Sequence, residues 1–397
     1  MAFLGNTTIN RINLHYAIHA LAQGAGGVFF FVYLLRAGVS VPSTLLVLAA
    51  IPAGRFILRP IILPLAKRFG LKSTLIFGTL AVAVQYPVLA EVQGVGAALV
   101  ALCLVSSISE VFYWSSYHAY FAALGDHEHR GHQIGAREAL AAIAGIVAPL
   151  IGGWALVTFG PRWAFAAAAV VQALAALPLL QAPNVAIVQA APGAFRAARL
   201  GIILFVADGW LSASYVLVWQ IALFVSLGEN LVAYGGAMAL AALVGAVGGL
   251  LLGRHIDAGH GPRAVLVAYT VVAVVVLMRA ASFGSPWLAV LANAFGALAA
   301  CLQSPAMMTA VYNLAKASPC PLRFHMAAEG GWDIGCCTAA LCAASLSAAG
   351  FPLSIAILLS LPAAAAAASL LRRHYMHSAA AIDPVDSQPL SSTSSNS

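Results

Sequence analysis

Apolar residues gather in runs of about 20, the helix length that crosses roughly 30 Å of hydrocarbon. Twelve such runs lie near 14–36, 42–65, 73–92, 96–122, 137–159, 162–181, 200–226, 231–253, 264–283, 287–314, 329–349 and 351–371. Within a run the apolar residues are continuous rather than alternating, which argues against the strands of a membrane barrel. The pattern predicts an all-α integral membrane protein with twelve transmembrane helices. Most connections are short, and the longer ones fall at 125–136, 182–199 and 315–328.

Polar residues inside the runs are few and fall at helical spacing, so they form stripes. In the fourth run Cys103, Ser107, Glu110, Trp114 and Tyr117 share a face. In the seventh, Asp208, Ser212, Tyr215 and Trp219 do the same. The first run carries His15, His19 and Gln23, and the tenth carries Asn293, Gly296, Ala300, Gln303 and Met307. Such stripes serve either helix–helix contact or a polar cavity. An ionisable group at that depth is costly and marks a pathway, a relay or an ion pair. Glu110 and Asp208 are the acids of this kind, and Arg55 is a deep cation that needs a partner. Counting 1.5 Å per residue from the run ends puts the three at similar depth. The expectation is that Arg55 holds Glu110, that Asp208 faces them across a cavity, and that Trp114 and Tyr117 form its wall. Arg59 and Arg279, nearer run ends, are expected to snorkel outward. His15 is expected at the interface, and Tyr120, Phe121 and Trp163 in an interfacial aromatic belt.

Composition agrees with this reading. Hydrophobic residues make up 62% and charged residues 8%, where soluble proteins carry about 25% charged. No basic region, short apolar core and cleavage site precede the first run, so no signal peptide is expected. The formal charge of +7 belongs to loop positions rather than to a nucleic-acid partner. With the N-terminus inside, cytoplasmic segments hold Arg11; Lys67, Arg68 and Lys72; Arg130 and Arg137; Arg196 and Arg199; Arg254 and Arg263; Lys316 and Arg323; Arg372 and Arg373. Both termini are therefore expected in the cytoplasm of a cell (plasma or inner) membrane. Six cysteines at 103, 301, 320, 336, 337 and 342 form no C-x-x-C pair, and neither disulfides nor a metal site are expected. "GDHEHRGH" (125–132), with Asp126, His127, His129 and His132, is expected to be a solvated loop; a metal-binding loop is the alternative. No phosphate-binding Gly-rich loop, G-x-S-x-G elbow or H-E-x-x-H is present. Neither a cofactor nor an enzymatic activity is expected.

The chain also repeats at half length. "HQIGAREALAAIAG" (132–145) and "FHMAAEGGWDIGCC" (324–337) both open a run with a glutamate, Glu138 and Glu329. The organisation expected is a six-helix bundle over 1–181, a cytoplasmic linker over 182–199, a second bundle over 200–374 and a disordered tail over 375–397.

This layout resembles the major facilitator superfamily, over about residues 11–373. The family's loop G-x-x-x-D-R-x-G-R-K is matched by "LPLAKRFGLK" (63–72) at Arg68, Gly70 and Lys72, with Lys67 in place of the Asp. "GRHIDAGHGPR" (253–263) keeps Gly253 and Asp257 of the repeat. The span-five motif G-x-x-x-G-P-x-x-G-G appears as "AGIVAPLIGG" (144–153), which keeps Pro149, Gly152 and Gly153. The resemblance implies two pseudo-symmetric six-helix bundles and a central cavity lined by spans one, four, seven and ten. It also implies an inner gate in which Arg68, Lys72, Arg254 and Arg263 latch to Glu138, Asp257 and Glu329, with Asp333 extending the second latch. The function implied is a secondary active transporter of a small organic molecule, tilted toward export by the span-five motif; the buried carboxylates Glu110 and Asp208 make protons the expected coupling ion, and a monomer in the lipid bilayer is expected. Uptake of an organic anion held by Arg55, or a transport-inactive sensor or membrane enzyme on the same fold, are the alternatives.

Overall fold

The computed structural model describes residues 6–124, 130–256 and 261–382; side chains of 122, 130–138, 250, 252–256 and 378–382 lie outside the description. Among the described residues the structure is all helix. α1 (Thr7–Ala25) continues through a tight 3-10 turn into α2 (Phe30–Arg36). α3 (Val41–Leu58) is followed by α4 (Ile62–Ala90), α5 (Ala97–Leu124), α6 (Arg130–Thr158), α7 (Pro161–Leu174) and α8 (Leu177–Leu180). The linker holds one short helix, α9 (Ala194–Ala197). α10 (Arg199–Leu211) passes through a π-helical turn at Ser212–Leu217 into α11 (Val218–Ser226). α12 (Leu231–Ile256), α13 (Gly261–Ser282), α14 (Pro286–Ala317), α15 (Pro321–Ala348), α16 (Leu353–Leu358) and α17 (Ser360–Ile382) complete the chain.

Among the described residues, ten segments are long and apolar enough to cross a membrane. Val41–Ala90 counts as one of them although Gly70 adopts φ +81°, a conformation glycine tolerates and other residues resist. The chain turns there, between the second and third apolar runs. α15 is not among the ten, and it carries Arg323, Glu329 and Asp333. Bulky apolar side chains such as Trp154, Trp163, Leu251 and Trp287 are exposed around the perimeter, where lipid is the solvent. The protein is a multi-pass membrane protein.

Packing relations recur along the chain. α1 lies on α6, α3 and α4 on α5, and α4 and α1 on α7. In the second part α10 lies on α15, α12 and α13 on α14, and α13 and α10 on α17. The parts are joined chiefly by α3 with α15 and α6 with α12, and also by α5 with α15 and α2 with α11. Small residues allow this closeness. A Cβ on Gly152 would lie 2.1 Å from the Ala25 carbonyl oxygen, and one on Gly335 2.0 Å from that of Val206.

Several expectations need correction. α15 begins at Pro321, two turns before the expected span, because proline at the first helical positions suits an N-terminus. α17 runs to Ile382, so residues 375–382, expected in a disordered tail, are helical, and Tyr375 Oη donates to the Ala306 carbonyl at 2.9 Å. Tyr120 and Phe121 are buried rather than interfacial, whereas Trp163 is 74% exposed as a belt residue should be.

Candidate functional site

The junction of α3, α5 and α15 holds the densest group of charges described. Arg55 lies in the last turn of α3 and Arg59 one turn on, in the 3-10 turn Arg59–Ile61 that follows it; Glu329 and Asp333 lie one turn apart on α15. Because α3 packs on α15, the two short ladders face each other. Arg55 Nη2 donates to Glu329 Oε2 at 3.0 Å, and its Nε lies 3.1 Å from Asp333 Oδ1. Arg59 bonds Asp333 Oδ2 through Nη2 and donates to Ser115 Oγ on α5 at 2.8 Å through Nη1. Glu110 completes the group: its Oε2 lies 3.7 Å from Arg55 Nη1 and accepts from Trp114 Nε1 at 2.8 Å. Trp332 carries the Arg55 guanidinium over its ring at 5.0 Å.

The sequence expectation paired Arg55 with Glu110 and sent Arg59 to solvent. Arg55 does reach Glu110, but its nearer partners are the two α15 carboxylates, and Arg59 is buried among them. Two arginines meet three carboxylates, so with every group ionised the cluster carries one excess negative charge. In a dry interior that charge is costly unless a cation or a proton balances it.

Arg55 and Glu110 also line a cavity of about 290 Å³, at the small end of ligand-binding sites. Gln23, Phe30 and Phe31 contribute from the first span, Ile51 and Pro52 from α3, and Gln85 from α4. The second part supplies Leu217, Gln220, Trp332 and Cys336. The surface thus offers three amides, apolar and aromatic walls, and one acid–base pair.

Most of the expected cavity stripes lie elsewhere. Trp114 is turned onto Glu110, and Tyr117 is buried against Tyr113 and Tyr16. His15 is buried, not interfacial: Nδ1 pairs with the Ala175 carbonyl at 2.7 Å and Nε2 with Tyr113 Oη at 3.2 Å. His19 is held by Gln172 at 2.9 Å. Asp208 accepts from Gln303 Nε2 at 3.1 Å and does not line this cavity. Ser212 opens the π-helical turn. Trp219 donates to Asn293 Oδ1 at 3.0 Å, and Tyr215 and Trp219 stack on Arg279 at 4.2 and 5.0 Å. Arg279 therefore does not snorkel; it is a buried arginine held by rings and the Tyr215 carbonyl. Sequence reasoning missed Gln85, Gln220 and Trp332, which line the cavity. A lone amide in an apolar run was the available signal for the two glutamines.

The expected gate is also rearranged. Glu329 pairs with Arg55, while Arg263 is exposed. Arg68 lies over the Phe69 ring at 5.2 Å. The loop around Gly70 binds the linker: Lys67 Nζ donates to the Gln189 carbonyl at 2.9 Å, and the Lys72 and Leu71 amides donate to Asn184 Oδ1 and the Val185 carbonyl. Arg323 Nη2, from α15, donates to the same Gln189 carbonyl at 2.9 Å. The Glu138 and Arg254 side chains, Asp257, and most of the 125–132 loop lie outside the description.

The span-five glycines pack. Gly152 lies against α1; a Cβ on Gly153 would lie 2.8 Å from the Leu231 carbonyl oxygen; and Gly235 of α12 lies against the Pro149 carbonyl. α6 is thereby wedged between α1 and α12.

Comparison with known proteins accords with this architecture. A family model described as Major Facilitator Superfamily matches residues 14–319. The chain belongs to that superfamily. Among solved structures it is similar to the human organic anion transporter MFSD10 (TETRAN), with a TM-score of 0.64, 16% sequence identity, and coverage of 92% of this chain and 99% of that chain. At that identity the likeness shows the fold alone. No curated protein matches the sequence. Membership of the superfamily makes this a membrane transport protein with a small-molecule substrate.

Proposed function

We propose that the protein is a proton-coupled secondary transporter of a small amphipathic molecule bearing a positive charge, tilted toward export, and built as twelve spans in two six-helix bundles. The single observation that carries this reading is the charge imbalance at the cavity floor. Three carboxylates face two arginines, and one of the carboxylates, Glu110, lines the cavity with Arg55. One proton or one cationic group of a substrate balances the cluster, so the two compete for the same excess charge. The wall of Phe30, Phe31 and Trp332 suits the apolar part of such a molecule. Recurrent packing supports the two-bundle reading, with the divided Val41–Ala90 segment and α15 completing twelve spans. Uptake of an organic anion would need Arg55 free, whereas three carboxylates surround it here. A metal-dependent role has no support among the described residues, where no group of three or more His, Cys, Asp and Glu is placed to hold an ion.

Counterflow in proteoliposomes against a panel of labelled organic cations, anions and neutral compounds tests the reading, with and without a pH gradient. Accumulation of a cation that follows the gradient supports it; exchange of anions alone refutes it. Orientation is read separately. Arg372→Cys, just past the last apolar run in the middle of α17, is expected to be shielded from an impermeant thiol reagent added outside intact cells, and Ser40→Cys, between α2 and α3, to react.

A further inference from the structure

We infer that His118 is a positioning residue of the gate, whose protonated imidazole locks the two parts of the transporter together at the end that carries the linker. The inference rests on the transport reading above and names the group that makes its gate respond to pH.

His118 sits on α5 two turns beyond Glu110, in the stripe Glu110, Trp114, His118. Its Nε2 lies 3.9 Å from Glu329 Oε1, and its Nδ1 is 3.0 Å from Tyr312 Oη of α14. The imidazole therefore reaches from the first part of the chain to two helices of the second. Glu329 is the hinge of the arrangement. One oxygen takes Arg55 and the other faces His118, so the same carboxylate is held from α3 and from α5. Any motion that parts α3 and α5 from α15 breaks both contacts.

Every element around His118 bears on its charge. Its own helix places Trp114 and Tyr117 against it, rings 5.6 and 5.7 Å away. α15 places Glu329 and His325, the latter stacked at 5.6 Å. α14 places Tyr312. α3 places Arg55 on the far side of Glu329, and the turn after it places Arg59, bonded to Ser115 on the preceding turn of α5. The carboxylates of the cluster exceed its arginines by one, and a protonated His118 restores neutrality without any substrate. Histidine is the side chain whose ordinary titration falls near neutral pH. Arginine keeps its proton, so Arg55 and Arg59 do not respond.

The sign follows from the contacts. A protonated imidazole meets the Glu329 carboxylate only in the closed arrangement, so low pH favours that arrangement. As pH rises the proton leaves, the cross-part pair weakens, and the linker end opens more readily. A proton arriving at His118 from that end closes the gate behind it.

The test is a distance measurement, which needs no substrate. Spin labels at Ser73→Cys and Ala317→Cys, two exposed sites on opposite parts at the linker end, are placed in a variant with the native cysteines replaced, in nanodiscs. From pH 6 to pH 8 the ratio of long to short distances is expected to rise severalfold, as the proton of the His118–Glu329 pair is lost. His118→Asn should hold the ratio high at both pH values. His118→Lys, which keeps a charge, should hold it low at both. Loss of pH dependence in both variants, with opposite biases, is the signature of the charge itself; a structural role alone would move both the same way. A pH response that survives His118→Asn overturns the inference and moves the switch to Glu329 or Glu110. If the response depends on His118 yet transport follows no pH gradient, the coupling reading fails and this one stands.

Discussion

Two arginines, Arg55 and Arg279, are each 5% exposed and each lie inside a span, yet they are held in opposite ways. Arg55 is held by three carboxylates, two of them from the other part of the chain. Arg279 is held by the Tyr215 and Trp219 rings and one carbonyl, all from the same part, and no ion pair joins it among the described residues. Both arrangements meet the cost of taking a guanidinium out of water. Only the first depends on how the two parts are apposed. A charge that must change partners during a transport cycle needs partners that can leave; a charge that holds one bundle together does better with neighbours that travel with it.

The largest effect is expected at Arg55. Arg55→Ala leaves Glu329, Asp333 and Glu110 short of a cation, and stripping one partner from a buried pair costs about 3–5 kcal/mol. Thermal unfolding in detergent should fall sharply, and both counterflow and gradient-driven transport should vanish; unchanged melting would remove Arg55 from the centre of the comparison.

Next comes the cavity acid. Glu110→Gln keeps an acceptor for Trp114 but not a titrating group. Accumulation driven by a pH gradient should be lost while counterflow survives, since exchange moves no net proton. Asp208→Asn, whose contact with Gln303 tolerates an amide, should leave the gradient response in place. Reversed results would transfer the coupling role to Asp208.

Arg279→Lys should cost about 0.5–2 kcal/mol, because an ammonium keeps the charge but loses the planar stack. The distance distribution between the parts should not change. If it shifts as it does for Arg55 variants, Arg279 also reports on the gate and the contrast between the two arginines fails.

The smallest effect belongs to Lys67. Its bond to the Gln189 carbonyl is partly exposed, and such contacts contribute about 1 kcal/mol or less. Lys67→Ala should leave melting nearly unchanged while easing proteolysis of the linker; a transport loss comparable to that of Arg55 variants would make the linker part of the gate.

The sequence alone established the membrane class, the helix periods and the candidate charges, because the requirement that apolar residues face lipid is written locally in every run. It also placed Arg55 and Glu110 at similar depth, since helical rise is uniform. It did not reveal that Glu329 and Asp333 turn to Arg55 and Arg59, nor that Trp114 serves Glu110 rather than the cavity. Those outcomes depend on which helix faces which, and helices far apart in sequence carry no mark of their partners. α3 meets α15 across most of the chain, and the geometry of that crossing is decided only when all the helices pack. Arg279 is the clearest case. Its position near a span end predicts snorkelling, but the Tyr215 and Trp219 rings and the close approach of Gly296 form a site that holds the guanidinium inside. The period of a helix tells which residues share a face; only the assembled bundle decides what that face meets.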